Sequence, residues 1–373
     1  MDSKAMESGL VRYRRRRGEP SETLALFHSP PDHHHFPATR YQGSKLKLLD
    51  WIWANVKGLS FDTALDLFGG TASVGYLFKT RLKRVTVCDY LRSNAVVAKA
   101  LVENRCTTLT DQEVSQLVER RPGLSYDNFI ERTYSGVFFL DEENGWLDVV
   151  AQNIDRLGDP YKQAVAFFGL FQACIGKRPY NLFHRANLYM RTSEVERSFG
   201  NKATWDRPFE DHFRRAVKEA NRAVFDNGRD NVALQAEATS APLGADLVYI
   251  DPPYMNRRGV AVDYLDFYHF LEGLSEYREW PSRVTERYKH KPYVRRASPW
   301  YDKALLGRAF DDVFARFHES ILVVSYRDNG IPSPEELVGL LKRHKKRVYP
   351  AHHAAYKYVL SKVPTKELLL IAE

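Results

Sequence analysis

Apolar residues along this chain fall into two rhythms. In FPATRYQGSKLKLLDWIWANV, Leu46, Leu49, Ile52, Trp53 and Val56 return every three or four residues, the spacing of one helix face, after a Gly-Ser turn. In FDTALDLFGGTASVGYLFK the first half is a short strand ending at Asp66. After Gly69 and Gly70 the spacing of Val74, Leu77 and Phe78 becomes helical. KRVTVCDY then predicts a second strand with Asp89 at its carboxyl end, so the stretch reads as strand, glycine turn, helix, strand: one βαβ unit. From about 105 to 228 the rhythm is mainly helical, as in GWLDVVAQNIDRL and KQAVAFFGLFQACI. Strand-like runs return in NVALQAEA, DLVYID, SILVVSY, KRVYPAHHAAYKYVL and ELLLIA.

About seven short strands with helical crossovers predict an α/β fold, a doubly wound, seven-stranded, mostly parallel sheet whose ligands lie at the carboxyl ends of the strands. On this reading the core comprises residues 37–104, 229–255 and 317–373. A mainly helical insertion at 105–228 and a second, basic insertion at 256–316 interrupt it. Residues 1–36 mix Ser, Pro, His and Arg without periodicity and are expected to be a disordered tail.

Charge narrows the partner. A net charge of +8 suggests a polyanion, and its distribution says more than its sum. The tail is nearly balanced, whereas Lys177 to Arg222 holds eleven Lys/Arg against six Asp/Glu, and Arg278 to Arg308 nine against three. Cys88, Cys106 and Cys174 are widely spaced, which argues against a disulfide framework and a zinc site. The triplet His33, His34, His35 has no second ligand cluster beside it, so a solvated tail is expected and no metal. No apolar run is long enough to span a membrane and no signal-peptide core opens the chain; a cytoplasmic protein is expected.

Three short stretches could carry chemistry. In DLVYIDPPYM a buried strand, Leu247 to Ile250, is broken at once by Asp251, Pro252 and Pro253, with Tyr254 beyond a backbone that proline stiffens. An acid and a proline pair can also just close a strand. In DLFGGTASVG, Gly69, Gly70 and Gly75 sit where a strand meets a helix, allowing close backbone approach to a ligand at a helix N-terminus. Asp89 follows Gly69 by 20 residues, the spacing at which an acid reaches ribose hydroxyls in such folds. RYQGSK places Gly43 in a loop with Tyr41, Ser44 and Lys45, which a simple N-cap at Ser44 would also explain; the full phosphate-loop pattern is absent.

RYQGSK, DLFGGTASVG, a long insert and DLVYIDPPY, in that order and followed by VVSYRDNG and KELLLIA, resemble the Dam-like DNA adenine-N6 methyltransferases, over about residues 37–373. The resemblance implies a methyltransferase sheet and S-adenosylmethionine as cofactor. It implies that Tyr41, Gln42, Gly43, Ser44 and Lys45 approach the methionine end of the cofactor. Asp66, Phe68, Gly69, Gly70 and Thr71 match the cofactor loop, with Gly70 and Thr71 departing from its commonest form, and Asp89 and Glu237 match the acids at the ribose and the adenine. Asp251, Pro252, Pro253 and Tyr254 match the catalytic tetrapeptide, with Tyr254 expected to stack on a flipped base. Methyl transfer is then a direct in-line attack with neither a covalent enzyme intermediate nor a metal.

The helical insertion lies where this family carries its DNA-recognition region. Lys177, Arg178, Asn181, His184, Arg185, Arg191 and Lys202 alternate there with aromatics, and Arg295 and Arg296 in the second basic segment are expected at phosphates. The expected partner is double-stranded DNA, methylated by a monomer acting as a restriction-modification, phage or orphan methylase, with a cognate restriction endonuclease in the first case. Two alternatives stay open: an RNA methyltransferase using the same tetrapeptide, and a catalytically silent nucleic-acid-binding subunit on this fold.

Overall fold

A computed structural model describes residues 35–194, 202–256, 258–294, 296–352 and 366–373. Most of the expected tail, including His33 and His34, therefore lies outside the described residues, as do Arg295 and the second half of KRVYPAHHAAYKYVL.

The strands are β1 (Thr63–Asp66), β2 (Arg84–Asp89), β3 (Val232–Gln235), β4 (Leu247–Ile250), β5 (Met255–Asn256), β6 (Ile321–Arg327), β7 (Gly330–Ile331), β8 (Val348–His352) and β9 (Glu367–Ala372). Seven of them form one sheet in the order β3-β2-β1-β4-β6-β9-β8, and β5 and β7 make a small antiparallel ribbon. β3, β2, β1, β4 and β6 run parallel, in register Leu65 to Val248 and Tyr249 to Val323, while β9 is antiparallel to both its neighbours. This is the expected α/β, seven-stranded, mostly parallel sheet. Pro350, which lacks an N–H, is accommodated because β8 is an edge strand.

Burial on both faces explains the near-continuous apolar runs. Along β4, Leu247 and Tyr249 join one core while Val248 and Ile250 join the other; along β9, Leu369 and Ile371 oppose Leu368 and Leu370 in the same way. Helices Ser73–Thr80, Pro160–Gly176 and Phe209–Ala223 bury their apolar faces in the first core, and Leu306–Arg316 with Pro334–His344 cover the second. Each Leu, Val or Ile so enclosed contributes about 1.5–3 kcal/mol.

Strand order fixes where a ligand can enter. From β1 the chain steps outward through β2 to β3, and from β4 it steps the other way through β6. The crossovers thus diverge between β1 and β4, leaving a crevice beyond their carboxyl ends, where Asp66 and Asp251 stand.

Candidate active site

At the end of β1 the buried Asp66 accepts the Gly75 N–H at 2.9 Å through Oδ2, tying the strand to helix Ser73–Thr80. Burial raises this carboxyl to about 7, with the Gly75 N–H opposing and the charges of Asp251 and Asp89 adding to the rise. Between strand and helix the chain turns through Gly70 and Ala72, both at positive φ. A Cβ on Gly69 would lie 2.4 Å from Val87 Cγ1, so only glycine lets the loop lie against β2. At the end of β2, Asp89 accepts the N–H of Gly70 at 2.8 Å and of Leu91 at 2.9 Å. Burial pushes Asp89 up to about 6 against the pull of those two bonds.

The RYQGSK loop closes the crevice from the side. Tyr41 stacks on Tyr268 with ring centres 4.2 Å apart, and Tyr264 lies parallel at 5.9 Å on the other contact. Tyr268 Oη accepts the Gln42 N–H at 2.8 Å, while Gln42 Oε1 is buried with no partner among the described residues. Ser44 and Thr71 hydroxyls meet at 3.5 Å, joining this loop to the glycine turn.

Beyond β4 a buried polar cluster forms. Lys45 Nζ lies 2.9 Å from Asp251 Oδ1 and 3.2 Å from Glu367 Oε1, and donates to Tyr254 Oη at 2.8 Å. Tyr254 in turn donates to the same Asp251 Oδ1 at 2.6 Å. Burial raises the Asp251 carboxyl above its ordinary range; Lys45 and the Tyr254 hydroxyl pull it down and Glu367 pushes it up.

One cavity unites these parts: Tyr41, Gln42, Gly43, Ser44, Lys45, Asp66, Phe68, Gly69, Gly70, Thr71, Asp89, Asp251 and Pro253 all line it. Glu237 lines a neighbouring cavity that shares Phe68, Tyr90 and Pro253 with the first. The lining offers acceptors to a ligand that carries N–H and O–H groups: Gln42 Oε1 is an orphaned acceptor in the wall, and Asp66 and Asp89 bring carboxyl groups.

The structure turns two groups of the expected residues inward. Tyr254 does not offer its face to the cavity: it is buried, its ring meets Tyr326 edge-on at 5.5 Å, and its hydroxyl serves Asp251. Lys177, Arg178 and Arg191 are buried and used internally. Arg191 grips Glu143 with two bonds of 2.8 Å and Lys177 meets the same carboxylate at 2.5 Å, while Arg178 donates to the carbonyls of Leu182 and Arg185. A buried cation needs such partners, and these three tie down the loop that follows helix Pro160–Gly176. Of the other cations, Arg185 and Arg296 are exposed, and Lys202 is exposed beside Asp206. His184 is half-buried with its ring on Phe267, and Asn181 sits in a left-handed turn with Tyr180.

Tyr264 and Tyr268 were missed by the sequence reading, although their four-residue spacing in YLDFYHFLEG marks one helix face. Glu367 was missed too; a carboxylate opening the wholly buried strand ELLLIA was the available signal.

A family model described as D12 class N6 adenine-specific DNA methyltransferase matches residues 41–294, more than half of the chain. Type II methyltransferase M2.HphI of Haemophilus parahaemolyticus is 30% identical over 84% of this chain and 90% of its own length. Type II methyltransferase M.NlaIII of Neisseria lactamica is 26% identical over 82% and 88%. M.FokI of Planomicrobium okeanokoites is 25% identical over 85% of this chain but only 50% of its own length.

Proposed function

Because the chain belongs to the D12 class N6 adenine-specific DNA methyltransferase family, we propose that it methylates N6 of an adenine turned out of duplex DNA, with S-adenosyl-L-methionine as donor, as a modification methylase. The observation that carries this reading is the loading of Asp251: Lys45 and Tyr254 both engage Oδ1, and Oδ2 has no hydrogen bond to a described residue. The side chain keeps 16% of its surface exposed, and it lines the cavity.

The donor, when bound, supplies a methyl group on a sulfonium. Gln42, Asp66 and Asp89 would hold it along the glycine turn, with Glu237 beyond Phe68 toward its base. The protein must then make the target amine nucleophilic, since its lone pair is delocalised into the ring. Asp251 Oδ2 accepts one amine hydrogen and the Pro252 carbonyl the other, drawing the nitrogen out of conjugation. The adjacent Lys45 ammonium keeps Asp251 ionised for this task, and afterwards the methylated amine sheds one proton toward the same carboxylate. Positioning supplies much of the rate. Exposed Arg185 and Arg296 are the cations offered to the DNA backbone.

Incubation with labelled donor and either duplex DNA or RNA, followed by nucleoside mass spectrometry, tests this. N6-methyladenine in DNA is expected; N4-methylcytosine, or transfer confined to RNA, overturns it.

A further inference from the structure

The last strand of the sheet carries a group that the proposed chemistry leaves unused. Glu367 is fully buried at the start of β9, more than a hundred residues from Asp251 in sequence, yet it faces the same cluster. Its Oε1 lies 3.2 Å from Lys45 Nζ and 3.2 Å from Tyr254 Oη, and accepts the Ser325 hydroxyl at 2.8 Å from β6. The Lys45 ammonium has three oxygens close by, from Asp251, Tyr254 and Glu367. With Tyr254 Oη accepting from Lys45, its own single proton points to the nearer acceptor, Asp251 at 2.6 Å.

We propose that Glu367 is a positioning residue for methyl transfer: it anchors Lys45 and Tyr254 from behind, so that both load one oxygen of Asp251 and leave the other to the target amine. This rests on the adenine-methylating reading of the site. Without the anchor Lys45 would lose a contact on the side away from Asp251, and the ammonium is expected to swing toward both oxygens of Asp251. A second carboxylate so close to the first has a cost, since like charges disfavour ionisation. Glu367 accordingly pushes Asp251 up. The ionisable groups around Asp251 come from every neighbouring element: Lys45, Asp66 on β1, Tyr249 on β4, Tyr254, Tyr264 on helix Tyr264–Ser275, Arg327 on β6 at 6.0 Å from the Tyr254 ring, and Glu367.

Two variants separate anchoring from mere structure. Glu367→Ala is expected to lower kcat about a hundredfold, as loss of alignment at a reacting centre does, with the KM for the donor within a few fold of wild type. Glu367→Gln keeps an acceptor for Lys45 and Ser325 but removes the charge. It is expected to recover most of the kcat and to move the acid limb of the kcat–pH profile to lower pH. A residue that only fills space would not move that limb. Wild-type kcat in a folded Glu367→Ala protein overturns the proposal, and so does an unshifted acid limb in Glu367→Gln, which also carries the test if the alanine variant does not fold. Wild-type protein assayed alongside separates the two ideas: no transfer to DNA by wild type removes the functional reading and this inference together, whereas normal wild-type transfer with indifferent variants removes only the inference.

Discussion

At the scale of single residues, the site depends on carboxylates kept ionised where burial disfavours charge. Asp251 is raised by burial and drawn back by Lys45. Lys45→Met removes that pull, so the carboxyl rises further, and since only the ionised form accepts the amine hydrogen, activity must vanish at a higher pH on acidification. A kcat–pH profile of Lys45→Met with its acid limb at or below the wild-type position would refute this role. Asp89, lifted to about 6, gives a second test on the donor side. Its ionised form is the stronger acceptor for hydroxyls, so donor affinity should fall as pH drops through about 6. Asp89→Asn should weaken binding by about 1.5–3 kcal/mol at pH 8, roughly 10- to 150-fold, and flatten that pH dependence. Calorimetric titration with S-adenosyl-L-methionine between pH 5.5 and 8 reads both effects.

At the scale of elements, one helix shapes a wall of the cavity beyond β1 and β4. Helix Tyr264–Ser275 is fastened to the helix that follows β2 by buried Glu272, which accepts the N–H groups of Arg92 and Ser93, each at 2.9 Å, at the start of helix Arg92–Ala98. The same helix brings Tyr268 against Tyr41 and Tyr264 against Gly43, where a Cβ would lie 2.5 Å from the Tyr264 hydroxyl at a φ of +84°. Gly43→Ala should therefore push Tyr264 aside and weaken donor binding about tenfold or more, by strain at a left-handed position as well as by crowding. Unchanged donor affinity in a folded Gly43→Ala protein would show that the helix and the RYQGSK loop are not coupled. The strands and the glycine turn were legible in the sequence because a short, near-continuous apolar run and a Gly-Gly break are local signals, as β1, β2 and β4 illustrate. The partners of Tyr41 and Lys45 were not legible, because Tyr268 and Glu367 reach them only through the folded chain, across hundreds of positions. Charge was legible in amount but not in direction. Nothing in the run from Lys177 to Arg191 says which cations turn inward to meet Glu143 and which stay in water.

At the scale of the whole molecule, the +8 net charge has to be divided between cations that build the fold and cations that remain to meet a polyanion. Arg191 belongs to the first group, since it and Lys177 neutralise Glu143 between helix Asp141–Asp155 and the loop beyond helix Pro160–Gly176. Arg191→Ala leaves that carboxylate under-compensated in a mostly buried position, and a loss of about 3 kcal/mol is expected, lowering Tm by several degrees. DNA affinity of the folded variant should stay within a few fold of wild type. Arg185 and Arg296 belong to the second group, both exposed, with Arg296 on the wall of the cavity that holds Glu237. Replacing both with Gln should leave Tm unchanged, because no buried partner is abandoned. It should weaken DNA binding on every sequence, and if each arginine neutralises one phosphate the slope of log K against log salt should flatten by about 2. Measuring Tm and the salt dependence of DNA affinity for both variants gives a crossed pattern, stability lost in one and electrostatic affinity in the other. The reverse pattern, or a salt slope equal to wild type in the Arg185/Arg296 variant, would show that the polyanion meets a different face of the protein.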